Sequence, residues 1–187
     1  MLYMFAFDKV GVVVGDLYFV DPEPAKGQES PEHGVRLELR AVRQGAAVDS
    51  SYGAYPIAAE RPLWRVDLLE SVDGTPGSFD RTHHHPAFTG WDPGARVFVR
   101  ELSSDPLGWL ADRLANLEEV LAQGGFPSGT ASAADVSELR RTAPEIVQTT
   151  GRLLARVRAG ELGNPPETGS SVPADGRTQV LVRTGWL

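Results

Sequence analysis

Apolar and polar positions alternate through much of the first hundred residues, and a two-residue period predicts β-strands. In "VRLELRAV", Val35, Leu37 and Leu39 fall on one side and Arg36, Glu38 and Arg40 on the other. "PLWRVDLLES" repeats the pattern, with Trp64, Val66 and Leu68 opposed to Arg65 and Asp67. "RVFVREL" predicts a further strand, with Val97 and Val99 opposed to Arg96, Phe98 and Arg100. Strands with one polar face favour an antiparallel sheet. Near the start, "VGVVV" and "LYFV" flank Gly15-Asp16, a pair suited to a tight hairpin turn. That opening stretch is broken by Asp8, Lys9 and Asp16 and has no basic leader. Its clean apolar runs are too short for a membrane span, so it reads as buried strands.

From residue 103 the period lengthens. Ser104 or Asp105 can cap a helix whose first turn takes Pro106. Leu107, Leu110, Leu114, Leu117 and Leu121 then form an apolar stripe, and Gly124-Gly125 ends it. Ser132 and Asp135 predict another helix start, and Thr142 and Glu145 make a capping-box pattern around Pro144. Residues 133–159 are therefore two helices or one kinked helix. Turns are expected at "VDGTPGS" and "WDPGA", a polar, proline-rich loop at 21–34, and a loop with Gly, Ser and two tyrosines at 44–61.

These elements describe a single α+β domain over residues 1–187. Residues 1–102 are β-rich and form an antiparallel, twisted sheet able to curl toward a barrel. Residues 103–160 form a helical hairpin that covers one sheet face or mediates a homodimer. Residues 161–177 have the composition of a flexible linker, and 178–187 read as a terminal strand that returns to this sheet or to a partner's.

Composition narrows the function classes. The 187 residues carry a formal net charge of −7, which argues against a nucleic-acid or anionic-membrane binder. There is no cysteine, so disulfides, thiolate metal sites and cysteine nucleophiles are excluded; the lack is compatible with a cytoplasmic protein. The phosphate-cradling GxxxxGK[ST] and GxGxxG loops, the GxSxG elbow and the HExxH helix are all absent.

The chemistry concentrates in "SFDRTHHHPAF". Three of the four histidines stand together at 83–85; the fourth is His33. If the segment is extended, as Pro86 favours for His85, His83 and His85 share one face and His84 takes the other. Two imidazoles at that spacing can reach one cation, and zinc, iron, manganese, nickel and copper accept nitrogen ligands. A third ligand is needed. His33 is the expected one, in a loop that could close over the site; Asp67, Glu38, Glu101 and Asp80 are alternatives. Metal-free acid–base catalysis by His83 and His85 is equally compatible with imidazole chemistry.

The stretch Gly77 to His85, a glycine, five residues and then His-x-His, resembles the first half of the cupin motif. That resemblance implies histidines binding a metal inside a β-barrel. The glutamate that the motif places after the second histidine is missing from "PAFTGW", and no later histidine follows.

Arg65 and Asp67, on the polar face of their strand, are candidate ligand contacts or a simple ion pair. Trp91, between Gly90 and Asp92 in a turn, is a candidate ligand contact near the histidines. Tyr52 and Tyr55 are weaker ones. Trp64 and Trp109 belong to apolar faces and are expected in the core. Arg152, Arg156 and Arg158 suit the end of a helix. Two functions are compatible with this pattern: a small enzyme or metal-binding protein with a histidine-centred site on a sheet, or a non-catalytic protein that binds a small molecule or protein through its aromatic loops or helical hairpin.

Overall fold

The computed structural model describes residues 1–45 and 57–166. Five antiparallel strands form one sheet in chain order: β1 (Leu2–Ala6), β2 (Val10–Phe19), β3 (Glu32–Gln44), β4 (Ile57–Ser71) and β5 (His83–His85). A small two-stranded ribbon, β6 (Phe88–Thr89) and β7 (Asp92–Pro93), comes next. Then come helices α1 (Arg100–Ser104), α2 (Pro106–Ala115), α3 (Leu117–Gln123) and α4 (Ala133–Arg158). The class is α+β. β1 and β5 lie at opposite ends of the strand order, so among the described residues the sheet does not close into a barrel. No helix among them is long and apolar enough to cross a membrane.

The alternation read from the sequence decides which face the helices cover. Val10, Val12 and Val14 of β2, Val35, Leu37 and Leu39 of β3, and Trp64, Val66 and Leu68 of β4 form one apolar face. Leu110 and Leu114 of α2 and Leu139, Ile146 and Leu153 of α4 join them in a single core. Each fully buried aliphatic side chain there contributes roughly 1.5–3 kcal/mol. Leu117 and Leu121 reach the same core from α3.

The expected turn at Gly15-Asp16 does not exist. β2 runs through both residues, and Gly15 stands opposite Leu2 on one side and Arg36 on the other. A Cβ on Gly15 would lie 3.0 Å from Leu2 and 3.2 Å from the Met1 carbonyl, so glycine here serves close strand approach. The chain reverses instead at Asp8-Lys9, where the Phe7 N–H bonds the Val10 carbonyl at 3.0 Å. The strand expected at 96–102 is reduced to one bridge between Val97 and His84, and α1 begins at Arg100. The single helix expected through Leu107–Leu121 breaks at Asn116, which caps α2 with φ −116° and ψ 48°. α4 runs unbroken past Pro144. The terminal strand at 178–187, most of the linker, Trp186, Tyr52 and Tyr55 lie outside the described residues.

Asp135 ties the two layers together. Its carboxylate accepts the Ser132 N–H and takes part in the capping box of α4. It also accepts the amides of Asp8 at 2.9 Å and Lys9 at 3.0 Å, which fixes the β1–β2 turn. Burial works to raise its carboxyl, but these backbone donors and the Ser132 hydroxyl outweigh it and hold it below the ordinary value. Asp135→Ala is expected to cost about 2–4 kcal/mol, a lost cap plus unsatisfied turn amides, read as a lower urea midpoint. Because the folded-state value is depressed, this stability is full above the ordinary carboxylate range. It is lost as pH falls through the lowered value, so the gap between native and variant should narrow in acid.

Candidate functional site

The second face of the sheet is polar yet largely covered. In register, Asp67 of β4 lies between Arg36 of β3 and His83 of β5; Arg65 lies between Glu38 and His85. All these side chains rise on the face away from the helices, because each differs by an even number of residues from its neighbour along the strand. His84, one residue out of phase, faces the helices. Its ring packs 5.2 Å from that of Trp109, and its Nδ1 accepts the Trp64 indole N–H at 3.3 Å. Burial, then the charge of Arg113 and of His85 and His83, pulls His84 down to about 4. It is a neutral core residue, outside the cluster on the polar face.

Asp67 is 1% exposed, His83 2% and His85 5%. Their ligating atoms all lie within 4.8 Å of one another, and among the described residues they are the group of histidines and carboxylates that could hold a metal ion. Asp67 Oδ2 is 3.5 Å from His83 Nε2 and 3.7 Å from His85 Nε2. Arg36 grips both carboxylate oxygens, Nε to Oδ1 at 2.6 Å and Nη2 to Oδ2 at 3.1 Å. Burial acts to raise the Asp67 carboxyl; the Arg36 guanidinium, followed by the two imidazoles, outweighs it and holds the group well below the usual carboxylate range. Asp67 is therefore an anion fixed in plane and orientation.

The imidazoles are fixed as firmly. His83 Nδ1 lies 2.8 Å from the Arg81 carbonyl, and His85 Nδ1 lies 2.8 Å from the Gly94 carbonyl. A carbonyl only accepts, so each Nδ1 carries the proton and donates it. Both Nε2 atoms then face the Asp67 carboxylate. Each Nε2 can donate a proton to that carboxylate or, unprotonated, share a cation with it. Separations of 3.5 and 3.7 Å are long for direct N–H···O bonds. The first lies within, and the second just beyond, the roughly 3.0–3.6 Å expected between ligands about 2.1 Å from one metal at angles of about 90–120°. The backbone carbonyls on Nδ1 and Arg36 on the carboxylate hold these three side chains in the way outer partners orient ligands at metal sites.

The remaining sequence candidates fall elsewhere. His33 stands on β3 opposite Glu70, on the helix side, where it lines a crevice with Leu154 and Arg158. An odd spacing from Arg36 puts it on the wrong side of the sheet to meet His83 and His85, and Asp67 stands with them instead. Glu38 is held by Arg40 and Arg65, and Asp80 bonds the Ser71 amide and the Ser78 hydroxyl. Glu101 is exposed on α1. Arg65 pairs with Glu38 at 2.7 Å rather than with Asp67, and lies over the Phe88 ring. Trp91 is 62% exposed in the β6–β7 turn, with Arg40 stacked 5.2 Å from its ring centre. Phe98, 56% exposed, lies 5.5 Å from the His83 ring and forms part of the cover. Arg36 was not among the sequence candidates; the run of alternating charges in Arg36-x-Glu38-x-Arg40 was its only signal.

Comparisons with protein-family models, with curated proteins and with solved structures find no match to the chain.

Proposed function

We propose that the protein is a metal-dependent enzyme or metal-binding protein whose centre is Asp67, His83 and His85. The observation that carries this reading is the convergence of two Nε2 atoms, each ring pinned by a carbonyl on its opposite nitrogen, on one buried carboxylate. Two histidines and a carboxylate suit a divalent transition ion: zinc, iron, manganese or nickel. Three protein ligands leave further positions for water or substrate. A metal bound there would supply Lewis acidity toward a substrate oxygen or a water. On this reading His83 and His85 serve as ligands. Arg36 positions Asp67, and Arg65 with Glu38 holds the floor beside His85. Phe98 and Trp91 form the rim a ligand would meet first.

The deciding experiment is elemental analysis of untagged protein never exposed to a metal column, then titration with zinc, iron(II), manganese and nickel. One equivalent of a transition ion is expected in the native protein, and loss of it in His83→Ala and His85→Ala. No binding by the native protein at micromolar metal would sink the reading. Trp91 and Phe98, both large, exposed and on one side of the molecule, support a second reading in which this rim binds a protein or small molecule without catalysis.

A further inference from the structure

Asp67, His83 and His85 are buried, so neither an ion nor a substrate reaches them until a covering segment moves. On the β5 side the cover is residues 94–99, which connect β7 to α1. Val97 and His84 exchange backbone bonds of 2.9 and 3.0 Å, so this segment lies along the edge of β5. His84 faces the helices and Val97, directly opposite, shares that side. Arg96 and Phe98, one residue either way, therefore lie on the side of His83 and His85. The Phe98 ring stands 5.5 Å from that of His83, and the Gly94 carbonyl accepts from His85 Nδ1 at 2.8 Å.

Arg96 reaches across the face. Its Nη2 donates to Asp21 Oδ2 at 3.2 Å, its Nη1 lies 3.9 Å from Glu32 Oε1, and its guanidinium lies 5.8 Å from the centre of the Phe19 ring. Phe19 ends β2 and Glu32 begins β3. In strand order, β4 and β5 stand between these residues and segment 94–99, and they carry all three proposed ligands. The contacts of Arg96 thus close the second face across the strands that hold the centre.

This closure is weakly held. The Arg96–Asp21 pair is partly exposed, and such pairs contribute little. Glu32 is buried, yet its Oε2 has no hydrogen-bond partner among the described residues. Burial pushes its carboxyl up, and the Arg96 charge pulls against that without reversing it. An incompletely paired carboxylate is a cost that the closed arrangement bears and that water would relieve on opening. Among the described residues, backbone hydrogen bonds hold residues 94–98 only at Gly94, to Ala87, and at Val97.

We propose that residues 94–99 are a strap that opens to admit a metal ion and closes over it, with Arg96 as its latch. The proposal describes access to the Asp67–His83–His85 centre and rests on that reading. Opening withdraws Phe98 from His83 and the Gly94 carbonyl from His85. It therefore uncovers two ligands and unpins the ring of one of them in the same movement.

The test is the kinetics of zinc exchange in the native protein, Arg96→Ala and Val97→Pro. The proline removes the Val97 N–H that bonds His84. Association is followed by stopped flow, and release by extraction into excess EDTA. In Arg96→Ala both rates are expected to rise at least threefold, and in Val97→Pro at least tenfold. The dissociation constant of Arg96→Ala should change less than twofold, because the latch holds the strap alike with and without the ion. Native rates in both variants would overturn the strap. So would faster release with unchanged association, since the segment would then only support His85. If the native protein bound no zinc, the metal centre itself would fall, and the strap would be decided by amide hydrogen exchange. The Val97 amide should exchange at least threefold faster in Arg96→Ala while that of Leu37 in β3 keeps its native rate. An unchanged Val97 rate would overturn the strap on its own.

Discussion

Asp67→Asn is expected to lower affinity for a transition ion by at least about a hundredfold, while Asp67→Ala should also leave the fold barely stable. The two substitutions separate the two jobs of this side chain. The asparagine amide would keep the shape and one carbonyl oxygen, but not the negative charge on which both Nε2 atoms converge. Ligand oxygens of a 2-His-1-carboxylate set owe their affinity to that charge. Alanine would remove in addition both hydrogen bonds from Arg36, whose Nη1 already has no partner in the described structure. A buried cation stripped of its counter-ion costs about 3–5 kcal/mol, a large part of the roughly 5–15 kcal/mol that holds a domain together. The measurement is a pair of urea titrations for each protein, without metal and with zinc at a hundred times its dissociation constant. The native protein should gain about 2.7 kcal/mol from the ion, and Asp67→Asn almost nothing at the same zinc concentration. Equal gains in both would show that the carboxylate is not a ligand.

The strand faces are legible because burial on one side writes a period of two into the chain. Val35, Leu37 and Leu39 group together by that period, and so do Trp64, Val66 and Leu68, and each set shares the helix-covered face. The phase of His83, His84 and His85 obeys the same rule. Which carboxylate would meet them does not. That depends on the pairing of β4 with β5 and on its register, Asp67 against His83, and no local pattern encodes register across a connection of eleven residues. His33 looks free to reach the histidines only while its strand is unknown; once β3 begins at Glu32, parity sends it to the helix side. The polar face misleads for another reason. Arg36, Arg65, Glu38 and Asp67 look like solvent-facing charges, but neighbouring opposite charges pair across the strands and allow the face to be covered. The turn at Gly15 fails because glycine marks close approach inside a strand as readily as it marks a bend, and the Asp8-Lys9 turn is fixed by Asp135, more than a hundred residues away.

A similarly large loss is expected from Gly34→Ala, a change of one methyl group at a residue that is not itself a proposed ligand. Gly34 lies in β3 opposite Leu69, with φ +154°. A Cβ there would stand 2.0 Å from the Leu68 carbonyl oxygen and 3.0 Å from its carbon, and both are backbone atoms of the central strand pair. No side-chain rotation relieves such a contact, so β3 and β4 must separate or shift locally. The cost is expected to exceed about 3 kcal/mol, the range of severe overpacking and backbone strain. Because Leu68 adjoins Asp67, the displacement also moves the carboxylate relative to His83, and ligand positions tolerate only about 0.5 Å. Gly34→Ala should therefore lose both stability, read from a urea titration, and metal affinity, read from calorimetry. Val42→Ala, on the same strand beyond the irregular pairing near Arg40, provides the control: a comparable or smaller loss of stability with metal affinity kept. If Gly34→Ala lost stability yet bound the ion as tightly as the native chain, the position of Asp67 would not depend on the close approach of β3 to β4, and the rigid sheet would not be what holds the three ligands in place.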